Sequence, residues 1–177
     1  MIPDLDEHAG EHFTFRQLCE VGKTWERVRI DNSPLEPGTY EAMRRLTTDL
    51  LDPLTRALGR PTLTHGFAGA ALNKSVKAGV EPGIDQHGGH DLIKSGELIC
   101  PRLGQAVDLH IPGRTSSEVG AFIVENTPFD RLYFYGDDRP LHVSVGPSNL
   151  KVITVMKPRQ DGRLYPSRAK LTYFDGA

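Results

Sequence analysis

Apolar residues recur at steps of three and four positions between Thr39 and Leu58, and this period predicts an amphipathic helix. Pro53 lies inside the pattern, and because its ring blocks a helical hydrogen bond, we expect a kink or a break there. Gly59 and Pro61 follow the last apolar position, in the order that is common where a helix ends. The apolar stripe consists of Met43, Leu46, Leu50, Leu51, Leu54 and Leu58.

The second half of the chain is dominated by short apolar or alternating runs, which predict strands. Helices that come first, followed by a series of strands, favour an α+β domain in which N-terminal helices pack on a mainly antiparallel sheet. Further helices are predicted over residues 13–21 and 115–126. Strands are predicted over residues 61–67, 106–111, 131–135, 141–145, 150–156 and 171–174.

The 177 residues suit one domain. We expect residues 1–12, which are polar, to be frayed. Residues 148–177 are expected to add a strand or hairpin to a main unit over residues 13–147. A glycine-rich stretch from Lys77 to Gly104 has no regular period and predicts a long loop, which in a compact domain is usually functional or mobile.

The charge is nearly balanced, with 21 Lys and Arg against 23 Asp and Glu. This balance gives no support to nucleic-acid binding driven by bulk charge, although it leaves a local basic patch open. The chain has no apolar run of membrane-spanning length and no secretory pattern at its start, so a cytoplasmic location and no membrane partner are expected. The cysteines Cys19 and Cys100 are too few for a disulfide framework and are predicted to be free thiols.

Three polar residues stand out as candidate metal ligands. Asp108 and His142 each lie within an apolar strand pattern, where a polar group is costly unless it is paired or bound to metal. His87 lies in the glycine-rich loop. Two imidazoles and one carboxylate are a common ligand set of catalytic zinc, which keeps a fourth position for water. The alternatives are a hydrogen-bonded strand histidine at His142 and a solvated loop at His87.

The order of several motifs resembles a known family. A predicted helix over residues 13–19 (FTFRQLC) precedes Asn32, and the sequence LDPL at residues 51–54 leads to PTLTHGF at residues 61–67 and to Asn73. Later come DQH at residues 85–87, GQAVD at residues 104–108 and LHVS at residues 141–144. This succession resembles the zinc D-alanyl-D-alanine carboxypeptidases and their phage endolysin relatives, of the DD-peptidase/hedgehog superfamily. The resemblance implies that fold, and one zinc ion held by His87, Asp108 and His142.

Three departures from the family pattern bear on function. Residues 88–103 separate His87 from Gly104 where the family has two residues, so His90 and Cys100 are rivals for the first ligand position. Ala68 stands where the family's arginine binds a substrate carboxylate, and alanine offers no such contact. Arg139 stands where the family has its general base, with Asp138 one residue away, so cleavage of D-Ala-D-Ala is not expected.

The sequence therefore predicts a zinc-dependent hydrolase with a changed pocket for a small-molecule or peptide-like substrate. The alternatives are a peptidoglycan peptidase with rearranged catalytic groups and a non-catalytic protein that binds a ligand or partner. We expect residues 88–103 to form a wall or lid over the metal; the alternative is a surface excursion. The oligomeric state stays open. The candidate catalytic residues are Asp138, Arg139 and Arg102, and the candidate substrate-binding residues are His90, Lys94, Arg102 and Asn73.

Overall fold

A computed structural model of the chain describes residues 2–76 and 84–177. The helices in these residues are α1 (Phe15–Cys19), α2 (Lys23–Val28), α3 (Pro37–Leu46), α4 (Asp52–Leu58), α5 (Ala70–Asn73) and α6 (Ser116–Asn126). The strands are β1 (Thr62–His65), β2 (Gln105–His110), β3 (Arg131–Phe134), β4 (Leu141–Val145), β5 (Val152–Pro158) and β6 (Leu164–Ala169). No helix among the described residues is both long and apolar enough to span a membrane.

The six strands form one sheet in the order β1-β2-β4-β3-β5-β6. Every neighbouring pair is antiparallel except β3 and β5, which run parallel. The predicted α+β class is therefore confirmed, with a mixed sheet.

The two faces of this sheet have different roles. Because side chains alternate along a strand, Val107 and Leu109 of β2 point into the apolar core, while Asp108 between them points to the opposite face. The same alternation buries Leu141 and Val143 and turns His142 outward. One face thus packs on the helices and the other carries polar side chains from neighbouring strands.

The break expected at Pro53 takes the form of a change in helix type. Between α3 and α4 the turn Thr47–Leu51 is π-helical, and the Asp52 N–H bonds to the Thr47 carbonyl, five residues back. A proline at position 53 has no N–H to donate and crowds the preceding turn, so the chain widens there and then resumes as α4.

The N-terminal residues, which were expected to fray, are instead attached to α4. The buried carboxylate of Asp52 accepts hydrogen bonds from the backbone N–H groups of Glu11 and His12, at 2.8 and 3.1 Å. Ala9 is buried beside them and bonds to the Phe13 carbonyl. The polar composition concealed this attachment because the contacts are made by backbone groups.

The strand predicted over residues 171–174 is wrong: Leu171–Phe174 is a short 3₁₀-helix. The Phe174 ring packs on Gly120 of α6, where a Cβ atom would lie only 2.8 Å from the ring. The last strand, β6, comes earlier and contains Pro166. Proline is tolerated there because β6 is an edge strand, which leaves one row of N–H groups unpaired.

Candidate metal centre

His87 is held in place by the segment that follows β1. Its Nδ1 lies 2.7 Å from the Gly66 carbonyl oxygen, and its own carbonyl accepts from the Ala68 N–H at 2.9 Å. Because a carbonyl oxygen only accepts hydrogen bonds, Nδ1 must carry the proton. In the neutral imidazole, the form that binds a metal, the Nε2 atom is then left with its lone pair.

Asp108 and His142 face each other on β2 and β4, where they are register partners. The His142 Nδ1 lies 2.9 Å from the Asp108 Oδ1. The His87 Nε2 lies 3.1 Å from each of these two atoms. The three predicted ligands therefore meet at one point, although they come from a loop and two strands.

These three atoms fit a small divalent cation. A triangle with these sides has a radius of roughly 1.8 Å, so a point about 1 Å above its plane is about 2.0 Å from all three atoms, the usual bond length of zinc to nitrogen and carboxylate oxygen. The set leaves one side of the tetrahedron open toward a cavity. His90 and Cys100, the rival first ligands, are not in this cluster.

Asp85 is a fourth candidate ligand that the sequence did not single out. Its Oδ1 accepts from the His87 N–H at 3.1 Å and lies 4.0 Å from the His87 Nε2. Ligand atoms of Asp85, His87 and His142 all lie within 4.8 Å of one another, so this trio also could hold a metal ion. Asp108 is the better third ligand because its Oδ1 is closer to the His87 Nε2, at 3.1 Å, and lies only 2.9 Å from the His142 Nδ1.

The electrostatics of the cluster favour positive charge at the same point. Burial alone would lower the pKa of His87, but the carboxylates of Asp85 and Asp108 outweigh it and raise the pKa to about 9. Burial would likewise raise the pKa of Asp108, yet His87 and His142 hold it well below its usual range. In the absence of a metal the cluster therefore holds a proton where a cation would lie.

The ring of His65 packs against the His87 ring, with centroids 4.2 Å apart and the two planes tilted by 52°. Its burial, together with the neighbouring His87, lowers the pKa of His65 to about 4. His65 is thus neutral near pH 7 and supports the orientation of the ligand without adding charge.

The cluster lies in a cavity of about 300 Å³, which is the size of a small-molecule site. Burial raises the pKa of the Tyr135 phenol in its wall, so this hydroxyl keeps its proton. The described lining residues are His65, Val76, Ile84, Asp85, Gln86, His87, Arg102, Asp108, Tyr133, Tyr135 and His142.

Gln86 anchors the turn that carries His87. Its buried amide nitrogen donates to the Leu103 carbonyl at 2.8 Å and to the Asp130 carboxylate at 3.0 Å. Its amide oxygen accepts from the Ser144 hydroxyl at 2.7 Å. Ser144 follows His142 by two residues on β4, so this network ties the loop ligand to a strand ligand.

Of the residues predicted to be catalytic, only Arg102 lines the cavity. Its Nη1 donates to the Tyr133 hydroxyl at 3.4 Å. Asp138 and Arg139 lie exposed in the turn between β3 and β4 and do not belong to the described lining. The Arg139 carbonyl instead accepts from the Ser116 hydroxyl at the start of α6.

The remaining substrate-binding candidates lie elsewhere. The His90 Nε2 accepts from the Gly104 N–H at 3.1 Å, and its ring covers Gly38 on α3. Lys94 and Asn73 line a separate depression between α5 and the insertion. None of the three lines the described part of the cavity or forms a hydrogen bond to a candidate metal ligand.

The insertion over residues 88–103 is attached to α3 rather than arched over the metal. The Asp91 carboxylate accepts from the Leu35 N–H and the Thr39 hydroxyl at the start of α3, at 2.9 and 2.7 Å. Only Arg102, at its end, lines the cavity. The expectation of a lid therefore does not match the described contacts. Residues 77–83 of the predicted loop lie outside the described residues.

Asp85, His65, Tyr133 and Tyr135 were missed because each is an ordinary polar or aromatic residue in its local sequence. The one available signal was the position of Asp85 two residues before a candidate ligand. Comparisons of the chain with protein-family models, curated proteins and solved structures found no match.

Proposed function

We propose that the protein is a zinc-dependent hydrolase whose ion is held by His87, Asp108 and His142. The observation that supports it most directly is the 2.9–3.1 Å spacing of their three ligand atoms, on residues that line a cavity. Such a spacing, with one side open, is the arrangement of catalytic rather than structural zinc. It also supports the proposed relationship to the DD-peptidase/hedgehog superfamily, whose metal-binding motifs these three residues resemble.

A bound divalent cation would polarise the scissile carbonyl and lower the pKa of a coordinated water. Asp85 supplies the group that moves protons, because its carboxylate faces the cluster and is not needed as a ligand. Its Oδ1 accepts a proton as water adds to the carbonyl carbon. The proton then passes to the leaving nitrogen or oxygen as the scissile bond breaks. This role replaces the general base expected at position 139.

Arg102 fits an anionic group of the substrate, since it is the one arginine or lysine that lines the described part of the cavity. Ala68 cannot do this, as its methyl group is buried and uncharged. The substrate is therefore a small or peptide-like molecule in which the bond to be cleaved lies close to a negative charge. Cleavage of D-Ala-D-Ala is not proposed.

Metal loading tests the proposal first. Purified protein incubated with zinc and then desalted is expected to retain one zinc per chain by mass spectrometry of the metal. His142→Ala should weaken zinc binding more than about 100-fold, since loss of even an outer partner of a ligand costs 10- to 100-fold. His110→Ala is the matched control, because His110 is an exposed histidine two residues beyond Asp108 on the same strand.

An assay of hydrolysis tests the second part of the proposal, that the zinc-loaded protein is an enzyme. The zinc-loaded protein is assayed on a panel of N-acyl dipeptides and small amides, and Asp85→Asn should lower any rate by about 100-fold or more while zinc is retained. If the unsubstituted protein and Asp85→Asn both bind zinc at full stoichiometry and hydrolyse the panel at equal rates, the protein is a non-catalytic binding protein instead. Release of peptide from purified cell wall would identify a peptidoglycan peptidase.

A further inference from the structure

One residue from every strand lies in a single line across the polar face of the sheet. The register pairs join His65 to Asp108, Asp108 to His142, His142 to Tyr133, Tyr133 to Thr154, and Thr154 to Arg168. Because register partners point to the same side of a sheet, these six side chains share one face. We call this set the cross-sheet row.

The cavity uses only one end of the cross-sheet row. His65, Asp108, His142 and Tyr133 line it, whereas Thr154 and Arg168 continue the row beyond its described lining. The polar face of the sheet therefore does not stop at the metal cluster. It extends outward through β5 to the edge strand β6.

Arg168 is the terminal residue of the row and is exposed. Its guanidinium forms no hydrogen bond or ion pair with any residue that the structure describes, although its backbone belongs to the β5–β6 pairing. An arginine that folding does not use is available for a carboxylate, which it can bind through two parallel hydrogen bonds. The hydroxyl of Thr154, half-buried between Arg168 and Tyr133, likewise has no partner among the described residues.

The charge around Arg168 favours an anionic ligand. Residues 148–177 contain six Lys and Arg but only two Asp, within a chain whose net charge is −2. This part of the chain, which contains β5, β6 and their connections, therefore carries a net charge of +4, whereas the rest of the chain carries −6. A negatively charged chain approaching this end of the sheet meets no comparable number of carboxylates.

The distance between His142 and Arg168 sets the length of a ligand that contacts both. His142 and Arg168 are separated by three strand spacings, or about 14 Å at the usual 4.8 Å each, and an extended peptide covers about this distance with four residues. A chain held at both ends would cross β3 and β5 at a steep angle to the strands.

We propose that the cross-sheet row is an extended binding surface for an acidic peptide-like chain. The bond to be cleaved lies at the metal cluster, and a carboxylate about four residues away is bound by Arg168. This inference rests on the proposed hydrolase function for the cluster itself. It adds the substrate class and identifies Arg168 as a residue that determines specificity.

Fluorescein-labelled peptides of five and of two glutamates test the proposal by fluorescence anisotropy with the zinc-loaded protein. The longer peptide should bind about tenfold more tightly than the shorter one, because only it reaches Arg168. Arg168→Ala should remove this difference and leave binding of the shorter peptide unchanged. Arg168→Lys should restore part of this difference in affinity. A peptide of five glutamines should not bind more tightly than the peptide of two glutamates.

Arg163→Ala is the matched control, since Arg163 is an exposed arginine in the turn that precedes β6 and is not in the row. Equal losses in Arg163→Ala and Arg168→Ala would show diffuse attraction and overturn the proposal, as would a length effect that survives Arg168→Ala. The same comparison is made with metal-free protein. A chain that binds no zinc but keeps the Arg168-dependent length effect would refute the hydrolase function and retain the binding surface.

Discussion

His87 is oriented by Gly66, whose carbonyl oxygen lies 2.7 Å from the imidazole Nδ1. This contact directs the lone pair of Nε2 toward Asp108 and His142. A loop histidine, which is free to adopt many rotamers, thereby acquires one orientation. The metal cluster consequently depends on the backbone after β1 as much as on its three ligands.

Gly66→Ala should disrupt this arrangement. A Cβ at position 66 would lie 2.0 Å from the Leu18 carbonyl oxygen, so the backbone after β1, which carries the Gly66 carbonyl that binds His87, would have to shift. We expect a loss of stability of about 2–4 kcal/mol in urea unfolding, as for severe overpacking, and weaker zinc binding.

Gly69→Ala is the control for this change, because a Cβ there meets its nearest atoms only at 3.3–3.4 Å. Zinc affinity that stays at the unsubstituted level in Gly66→Ala would show that the Gly66 contact does not position His87.

The sequence predicted the three ligands but little of what surrounds them. Asp108 and His142 were detectable because a polar residue inside an apolar strand breaks the alternation that burial requires. Their pairing across β2 and β4 depends on strand order, which no local pattern encodes. Gly66 contributes only a carbonyl oxygen, and every residue has one, so its role becomes visible only in three dimensions.

Contacts between residues far apart in the sequence also explain why the predictions for the insertion and for the N-terminus were wrong. Residues 88–103 were expected over the metal because both of their ends were assigned to it. The buried carboxylate of Asp91 instead fixes the segment to the start of α3. At the N-terminus, Asp52 was seen as part of a motif, whereas its partners are backbone N–H groups about forty residues away in sequence.

Asp52→Ala should therefore release the N-terminal segment. Loss of the carboxylate leaves the Glu11 and His12 N–H groups without their acceptor, which should cost about 1–3 kcal/mol and expose the segment to protease near residue 10. Asp49→Asn, a half-buried neighbour that pairs with Arg45, is the control. Limited proteolysis with mass analysis measures the outcome, and equal cleavage of both variants would count against the attachment.

Ser144→Ala tests the network beneath His87. The substitution leaves the buried Gln86 amide oxygen without its donor, so we expect a loss of about 1–3 kcal/mol in the free energy of unfolding. Zinc affinity should fall by about two- to tenfold, less than the 10- to 100-fold that removal of a direct partner of a ligand costs, because Ser144 acts on His87 only through Gln86. Ser95→Ala, at an exposed serine of the insertion, should change neither quantity. A Ser144→Ala protein with unchanged zinc affinity would limit the network to a structural role.

Cys19 gives a prediction about pH. Burial raises the pKa of its thiol above the value of about 8.5 expected in the unfolded chain. A raised pKa means that the folded state holds the thiol proton more tightly than the unfolded state does. The stability that the protonated Cys19 thiol contributes is therefore complete below about pH 8.5 and is lost at more alkaline pH. Iodoacetamide at pH 8 should therefore label Cys19 far more slowly in the native protein than in urea. Equal labelling rates in the two states would contradict this.

Asparagine variants of the two carboxylates distinguish the alternative ligand sets. The Asp108 Oδ1 lies 3.1 and 2.9 Å from the ligand atoms of His87 and His142, whereas the Asp85 Oδ1 lies 4.0 Å from the His87 Nε2. A neutral amide is a poor ligand for zinc, so Asp108→Asn should reduce zinc affinity by more than about 100-fold in chelator competition.

Asp85→Asn should reduce zinc affinity by less than about tenfold, because asparagine keeps the oxygen that accepts the His87 N–H and removes only the more distant negative charge. The opposite order of the two effects would make Asp85 the third ligand. In that case the proton acceptor proposed for hydrolysis would be lost, since one carboxylate oxygen pair would be committed to the metal. The ranking of these two variants therefore decides both which residues bind the ion and which residue remains for chemistry.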